Sequence, residues 1–408
     1  MDKKLKELIN KEIKRQQTTI DLIASENVAD LDTLKIVGSP LMNKYSEGYP
    51  DKRYYPGNQY YDEIEKLSWK YALEAFSLNS NQWRVNTQPY SGSPANQAIY
   101  FALLQPGDTI MGLALAHGGH LSHGLKVNFS GKYYRPVFYT LNEKTGYIDY
   151  DNFEKLALEH KPQLIISGAS AYPREINFKK IGVVAKKIGA YHLADISHVA
   201  GLIAAGLHQT PFPYADVVMT TTHKTLRGPR AAVIFSKKEL SSLIDRAVFP
   251  GIQAGPHNNV TAAIAEMFSV AKTSKFKSYQ KQVIKNAETL AKELMKHGFK
   301  LLTDGTDNHL MLLDLRNKNI TGGEAQDLLE KAGIIANKNV IPGDEKPSNP
   351  SGIRFGTPAT TSRGFKEKEM KRIAEWIYKV IDKKGAANKI QKEVVGLCKK
   401  FPLKYKHI

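Results

Sequence analysis

The chain has 408 residues, 42% of them hydrophobic and 24% charged, enough to bury one large core or two medium ones. No apolar run approaches the roughly 18 residues of a membrane helix. The single cysteine, Cys398, excludes an intramolecular disulfide framework and fits a reducing cytoplasm. The formal charge of +18 is mostly lysine spread along helical faces, and no basic-aromatic motif accompanies it. It therefore reads first as solubility and steering of anionic ligands, with nucleic-acid binding as the weaker alternative.

Residues 2–20 repeat apolar side chains at helical spacing (Leu5, Leu8, Ile9, Ile13) on a charged background. This predicts an amphipathic arm without the apolar centre of a signal peptide. Glu47 follows in an aromatic-rich loop, Tyr45-Ser46-Glu47-Gly48-Tyr49-Pro50, then Arg53-Tyr54-Tyr55. It is a solvated loop glutamate or a carboxylate placed for proton transfer. From about 62 to 270, helix-like and strand-like segments alternate, with strands predicted at 109–113, 134–139, 163–167, 190–193, 217–221 and 232–235. A helix is predicted at 178–188. That alternation predicts an α/β fold, an open and mostly parallel sheet with helices on both faces. Residues 257–297 read as one long helix. From residue 300 a smaller α+β unit is expected, with strands near 310–315 and 352–356 and helices at 367–381 and 387–399.

Several segments carry possible chemistry. Tyr90-Ser91-Gly92-Ser93-Pro94-Ala95-Asn96 runs into an apolar helical stretch, so it is an ordinary helix cap or a phosphate cradle of open N–H groups and hydroxyls. The turn Phe249-Pro250-Gly251-Ile252-Gln253-Ala254-Gly255-Pro256 is a tight bend or a second backbone approach to an anion. His117, His120 and His123 are interrupted by Gly118 and Gly119 and lack flanking acids or cysteine, so a metal site is disfavoured. An imidazole stacked on a planar ring competes there with a half-buried structural histidine. Asp195 follows one apolar stretch; Lys224, in Thr220-Thr221-Thr222-His223-Lys224-Thr225-Leu226, follows another. In such sheets active sites lie beyond the carboxyl ends of the strands. A lysine amine and an acid placed there suit pyridoxal phosphate, the lysine binding the aldehyde and the acid keeping the pyridine nitrogen protonated. Arg354, in Ser351-Gly352-Ile353-Arg354-Phe355-Gly356-Thr357-Pro358, offers a planar fork for an α-carboxylate or an internal salt bridge.

Together these segments closely resemble the serine hydroxymethyltransferase family. The resemblance runs in family order over nearly the whole chain: Leu22-Ile23-Ala24-Ser25-Glu26-Asn27, then 45–55, 88–96, 116–124, 195–201, 220–230, 306–310, 337–339 and 351–357. It implies fold type I of the pyridoxal phosphate enzymes: an arm and helix over 1–48, a large cofactor-binding domain over 49–272 with a mostly parallel mixed sheet, and a small C-terminal α+β domain over 273–408. It also implies interconversion of serine and glycine by retro-aldol chemistry, with tetrahydrofolate as co-substrate. Lys224 then matches the Schiff-base lysine, Asp195 the partner of the pyridine nitrogen, and His120 the stacked imidazole. Ser170 and His198 match positions near the phenolic oxygen, and Ser91, Gly92 and Ser93 the phosphate cradle. Tyr45 and Gly255 match positions that reach the phosphate from a neighbouring subunit, which implies a homodimer. Ser25 and Arg354 match contacts to the amino-acid carboxylate, and Tyr55 a neighbouring-subunit residue near the substrate. His223 matches a position linked to reaction specificity. The folate positions match Glu47, Tyr54, Leu115, Gly119, Leu121 and Asn339, with Glu47 the proton carrier.

The chain departs from the family pattern at Ala254 and Pro56, where glycine is usual, at Ser197, where alanine is usual, and over 344–350 near the folate site. The same retro-aldol chemistry would also serve a folate-independent, threonine-type aldolase or an enzyme using another pterin carrier.

Overall fold

Strands that are buried at every position mark a sheet covered on both faces. Leu164–Ser167 and Val217–Thr221 are of this kind. In the computed structural model, which describes residues 1–344, 348–382 and 387–405, they belong to one seven-stranded sheet. Its strands are β1 (Trp83–Asn86), β2 (Thr109–Leu113), β3 (Arg135–Tyr139), β4 (Leu164–Ser167), β5 (Tyr191–Asp195), β6 (Val217–Thr221) and β7 (Ala232–Lys237). The order is β1-β7-β6-β5-β4-β2-β3. From β6 to β3 every ladder is parallel, while β7 pairs antiparallel with both β6 and β1.

The helix Phe178–Ile188 forms as predicted. Asn177 caps its first turn, and Gly189 ends it in the left-handed conformation (φ 73°). The helix Gly92–Leu103 lays Ala95, Ile99 and Tyr100 into a buried cluster with Ile110, Leu164, Leu193, Val217 and Ile234 of the strands. Strand β5 runs on through Asp195, so the acid ends the strand. The sheet belongs to a compact unit formed by Asp32–Ser170 and Glu175–Gln280.

Met1–Leu31, Ala171–Arg174 and Lys281–Ile408 form a second unit. Its sheet contains β8 (Lys300–Leu301), β9 (Leu310–Asp314), β10 (Asn337–Asn339) and β11 (Gly352–Gly356), in the antiparallel order β8-β9-β11-β10. The N-terminal arm is the helix Lys3–Thr18, and Ile20–Asp21 after it pairs in parallel with Ile334–Ile335. The Arg363 guanidinium holds the arm's C-terminal end: it donates to the carbonyls of Gln16 and Thr19 (3.0 Å each) and of Gln17. It also reaches Phe401 O (2.9 Å), just past the helix Ala387–Lys400. A cation among exposed helix-end carbonyls offsets their partial negative charge.

Two expectations need correction. The helix expected over 257–297 is two helices, Asn258–Ala271 and Ser274–Lys296, because the Thr273 hydroxyl accepts from Phe276 N and starts the second. The strand β1 was not expected, being short and flanked by polar residues. Of the divergent stretch 344–350, residues 345–347 lie outside the described residues.

Candidate active site

Asp195 ends β5 and Lys224 follows the end of the neighbouring parallel strand β6, and the contacts around them form one network. Asp195 Oδ2 accepts from Asn96 Nδ2 (3.1 Å) and His123 Nε2 (3.0 Å). Its Oδ1 accepts from the hydroxyl (2.6 Å) and the backbone N–H (3.1 Å) of Ser197. Burial by itself would push this carboxyl up. The hydrogen bond and charge of His123, then His120 and Ser197, outweigh it and hold the group well below the usual carboxylate range. Lys224 Nζ donates to Thr221 Oγ1 at 2.7 Å, at the end of β6.

The helix Gly92–Leu103 starts against the same strand end. A Cβ on Gly92 would meet the Thr221 methyl at 2.8 Å, so only glycine allows the approach. Its cap residue Ser91 makes no side-chain capping bond, which leaves the hydroxyls of Ser91 and Ser93 and the first-turn N–H groups for an anion. Asn96, further along the helix, donates to Ser122 Oγ (2.8 Å) as well as to Asp195, and Ser122 Oγ meets His120 Nδ1 at 2.8 Å. Burial, followed by the charge of His123, draws the His120 pKa down to about 4, so the ring is neutral at physiological pH. His223, beside the lysine, is drawn down to about 3 by burial and by the charges of Lys224 and Arg230. Its Nδ1 is buried without a hydrogen-bond partner among the described residues.

Ser170 N donates to Gly118 O (2.7 Å), and Gly119 N to Ala114 O (3.0 Å). His198 is buried and its carbonyl accepts from Thr225 Oγ1 (2.9 Å). Leu115 and Leu121 are exposed in short turns on either side of Gly119. The three histidines go separate ways. His117 Nδ1 accepts from Leu141 N, His120 meets Ser122 and His123 meets Asp195.

Glu47 sits where the sequence turns into a small hairpin, Gly48–Tyr49 against Lys52–Arg53. The Arg53 side chain is buried and donates to the carbonyls on both sides of Glu47, those of Ser46 (2.8 Å) and Gly48 (2.7 Å). It also pairs with Asp62 (2.8 Å) and Glu65 (2.5 Å) of the helix Gln59–Ala75. Tyr54 N closes the turn on Glu47 O (3.0 Å). The rings of Tyr45 and Tyr55 are 5.5 Å apart. A Cβ on Gly255 would lie 3.0 Å from the Tyr45 ring, so Gly255 and this loop are neighbours. Tyr45, Tyr54 and Tyr55 are exposed.

In the second unit, Arg354 lies on β11, opposite Asn337, whose Oδ1 accepts from Nε (3.3 Å) and Nη2 (3.2 Å). Burial draws its pKa down to about 10, which leaves it a cation at neutral pH. Gly356 N donates to Leu22 O (2.7 Å), so the segment carrying Ser25 runs beside the end of the Arg354 strand. Asn339 is on β10, and its amide donates to Val340 O (2.9 Å).

Asn96, Ser122, His123, Ser197, Thr221 and Arg53 were not singled out from the sequence as site residues. For His123 the sequence offers a disfavoured metal ligand, a stacked imidazole or a half-buried structural histidine, but not a partner of Asp195. A polar Asn96 in an otherwise apolar helical stretch was the available signal.

A reactive amine, a buried anion, an open helix start beside the amine and a neutral imidazole fit an aldehyde-bearing, phosphorylated pyridine. With the mixed α/β sheet they define a pyridoxal phosphate-dependent enzyme of fold type I. The family model for serine hydroxymethyltransferase matches residues 1–377, and the chain belongs to this family. Its members are pyridoxal phosphate-dependent transferases that act on serine, glycine and tetrahydrofolate, and homodimers are typical. The match does not favour the threonine-type aldolase or another pterin carrier. Among the described residues no helix is long and apolar enough to cross a membrane.

Proposed function

We propose that the chain interconverts serine and glycine with tetrahydrofolate, working in the cytoplasm as a homodimer whose subunits share residues at each site. The observation that carries this reading is the network joining Gly92, Thr221, Lys224, Asn96, Asp195 and His120. Lys224 would hold pyridoxal phosphate between turnovers, and once the substrate amine has taken the lysine's place the cofactor would supply an electron sink for the pair released when the hydroxymethyl carbon leaves serine.

The chain's residues do the rest. Asp195, an anion at neutral pH, keeps a proton on the ring nitrogen. His120 lays an uncharged imidazole on the ring, with Ser170 and His198 near the phenolic oxygen. Ser91, Gly92 and Ser93 hold the phosphate at the helix start. Arg354 grips the substrate carboxylate with two parallel N–H groups, and Ser25 adds a hydroxyl. His223, neutral beside the lysine, bears on reaction specificity. Glu47 moves the proton between the serine hydroxyl and a folate nitrogen. Tyr54, Leu115, Gly119, Leu121 and Asn339 hold the folate. Tyr45, Tyr55 and Gly255 serve the neighbouring subunit's site, and the exposure of both tyrosines supports that role. The single thiol, Cys398, is free and buried, which is compatible with a reducing compartment.

Glu47→Gln tests the assignment. The variant is expected to bind pyridoxal phosphate and serine normally while folate-dependent glycine formation falls about 10²-fold or more, the loss typical of a missing proton carrier. Normal turnover would refute the role.

A further inference from the structure

Ser197 is buried two residues past Asp195 and stands between the acid and the strand end that carries the lysine. Its hydroxyl donates to Asp195 Oδ1 at 2.6 Å and accepts from Thr221 N at 3.1 Å. Thr221 Oγ1 in turn accepts from Lys224 Nζ at 2.7 Å. The Sδ of Met219, 3.7 Å away, is the hydroxyl's other neighbour.

An ionised carboxylate has about four lone-pair sites. Four donors address those of Asp195: Asn96 and His123 at Oδ2, and the backbone and hydroxyl of Ser197 at Oδ1. A ring N–H brought to this acid has to share an oxygen with a donor already in place. Of the four, the Ser197 hydroxyl can be removed by deleting one atom, with the backbone unchanged.

We propose that Ser197 is a positioning residue for Asp195: its hydroxyl shares the carboxylate with the cofactor's ring nitrogen and ties the acid to the strand end bearing Lys224. The proposal rests on the reading of Asp195 as the ring nitrogen's partner. By drawing electron density from Oδ1, the hydroxyl makes the acid a weaker anchor for the ring proton than a carboxylate without it. The other titratable groups around the acid are His120 and His123 from their turn, Tyr100 from the helix Gly92–Leu103, and Lys224 beyond Thr221. Substitution at Ser197 leaves all of them in the chain.

The test follows the ring-nitrogen resonance of 15N-labelled pyridoxal 5'-phosphate in reconstituted holoenzyme as pH is raised, for wild type, Ser197→Ala, Ser197→Thr and Asp195→Asn. Loss of the hydroxyl is expected to hold the ring proton to higher pH by about one unit, the scale of one charge-assisted hydrogen bond. Threonine, which keeps the hydroxyl, is expected to follow wild type; if it does not fold, the alanine comparison still decides. A Ser197→Ala titration at the wild-type position, with Asp195→Asn shifted, would overturn the proposal and leave the acid's role standing. An unshifted Asp195→Asn would overturn both.

Discussion

Arg354 is opposite Asn337 in a short antiparallel ladder, and its guanidinium rests on that side chain's amide oxygen. Burial weakens the cation without neutralising it. A carboxylate arriving at such a group gains a bidentate, charge-assisted contact in a poorly hydrated place, worth roughly 1.5–3 kcal/mol. Arg354→Ala is therefore expected to raise the KM for serine by about 10- to 100-fold while the affinity for pyridoxal phosphate stays close to wild type. Steady-state kinetics at saturating tetrahydrofolate measures this, and an unchanged KM would remove Arg354 from the substrate site. Arg354 stands out in the sequence because a guanidinium in an apolar strand needs a reason, and the structure buries it on β11. Ser197, Asn96 and His123 do not stand out, because their partner, Asp195, is brought to the latter two by the sheet and helix packing. For Ser197 the nearness in sequence was visible, but the direction of the hydroxyl was not.

The hairpin that carries Glu47 is held by one buried cation. Arg53 binds the carbonyls flanking Glu47 and faces Asp62 and Glu65 on the next helix. Glu65 is buried enough that desolvation pushes its pKa up even with Arg53 beside it. Removing the cation while leaving the acid is costly, on the order of 3–5 kcal/mol for a buried pair. Arg53→Met is expected to lower unfolding stability in urea by roughly that amount and to lower kcat of the folate-dependent reaction, because the Glu47 backbone loses its two anchors. A variant with wild-type stability and kcat would show that the hairpin holds itself. At this scale the sequence was informative where pattern is strong. The strand 217–221, rich in β-branched residues, and the helix 178–188, with Asn before it and Gly after it, were read at their observed bounds. The break near Thr273 was missed because a single threonine hydroxyl, not a glycine or proline, starts the new helix. The strand β1 exists because β7 pairs with it, a contact between segments far apart in sequence.

For the whole molecule, the class of fold was readable from the alternation of elements, and the chemistry from a lysine and an acid after two of the strands. Neither alone would have been enough. A lysine after a strand is common, and an α/β sheet hosts many activities. What narrows them is the joining of amine, acid, helix start and imidazole within the unit that contains the seven-stranded sheet, in a chain matched by one family over residues 1–377. The charge of +18 suits ligands that bear phosphate and carboxylate groups. The most direct measurement is the visible absorbance of purified wild type and Lys224→Ala after addition of pyridoxal phosphate, with glycine formation from serine followed with and without tetrahydrofolate. A visible band from covalently held cofactor is expected in wild type and not in the variant, and glycine formation is expected to depend on both Lys224 and tetrahydrofolate. An unchanged band in Lys224→Ala would contradict the assignment of Lys224 as the residue that binds the cofactor.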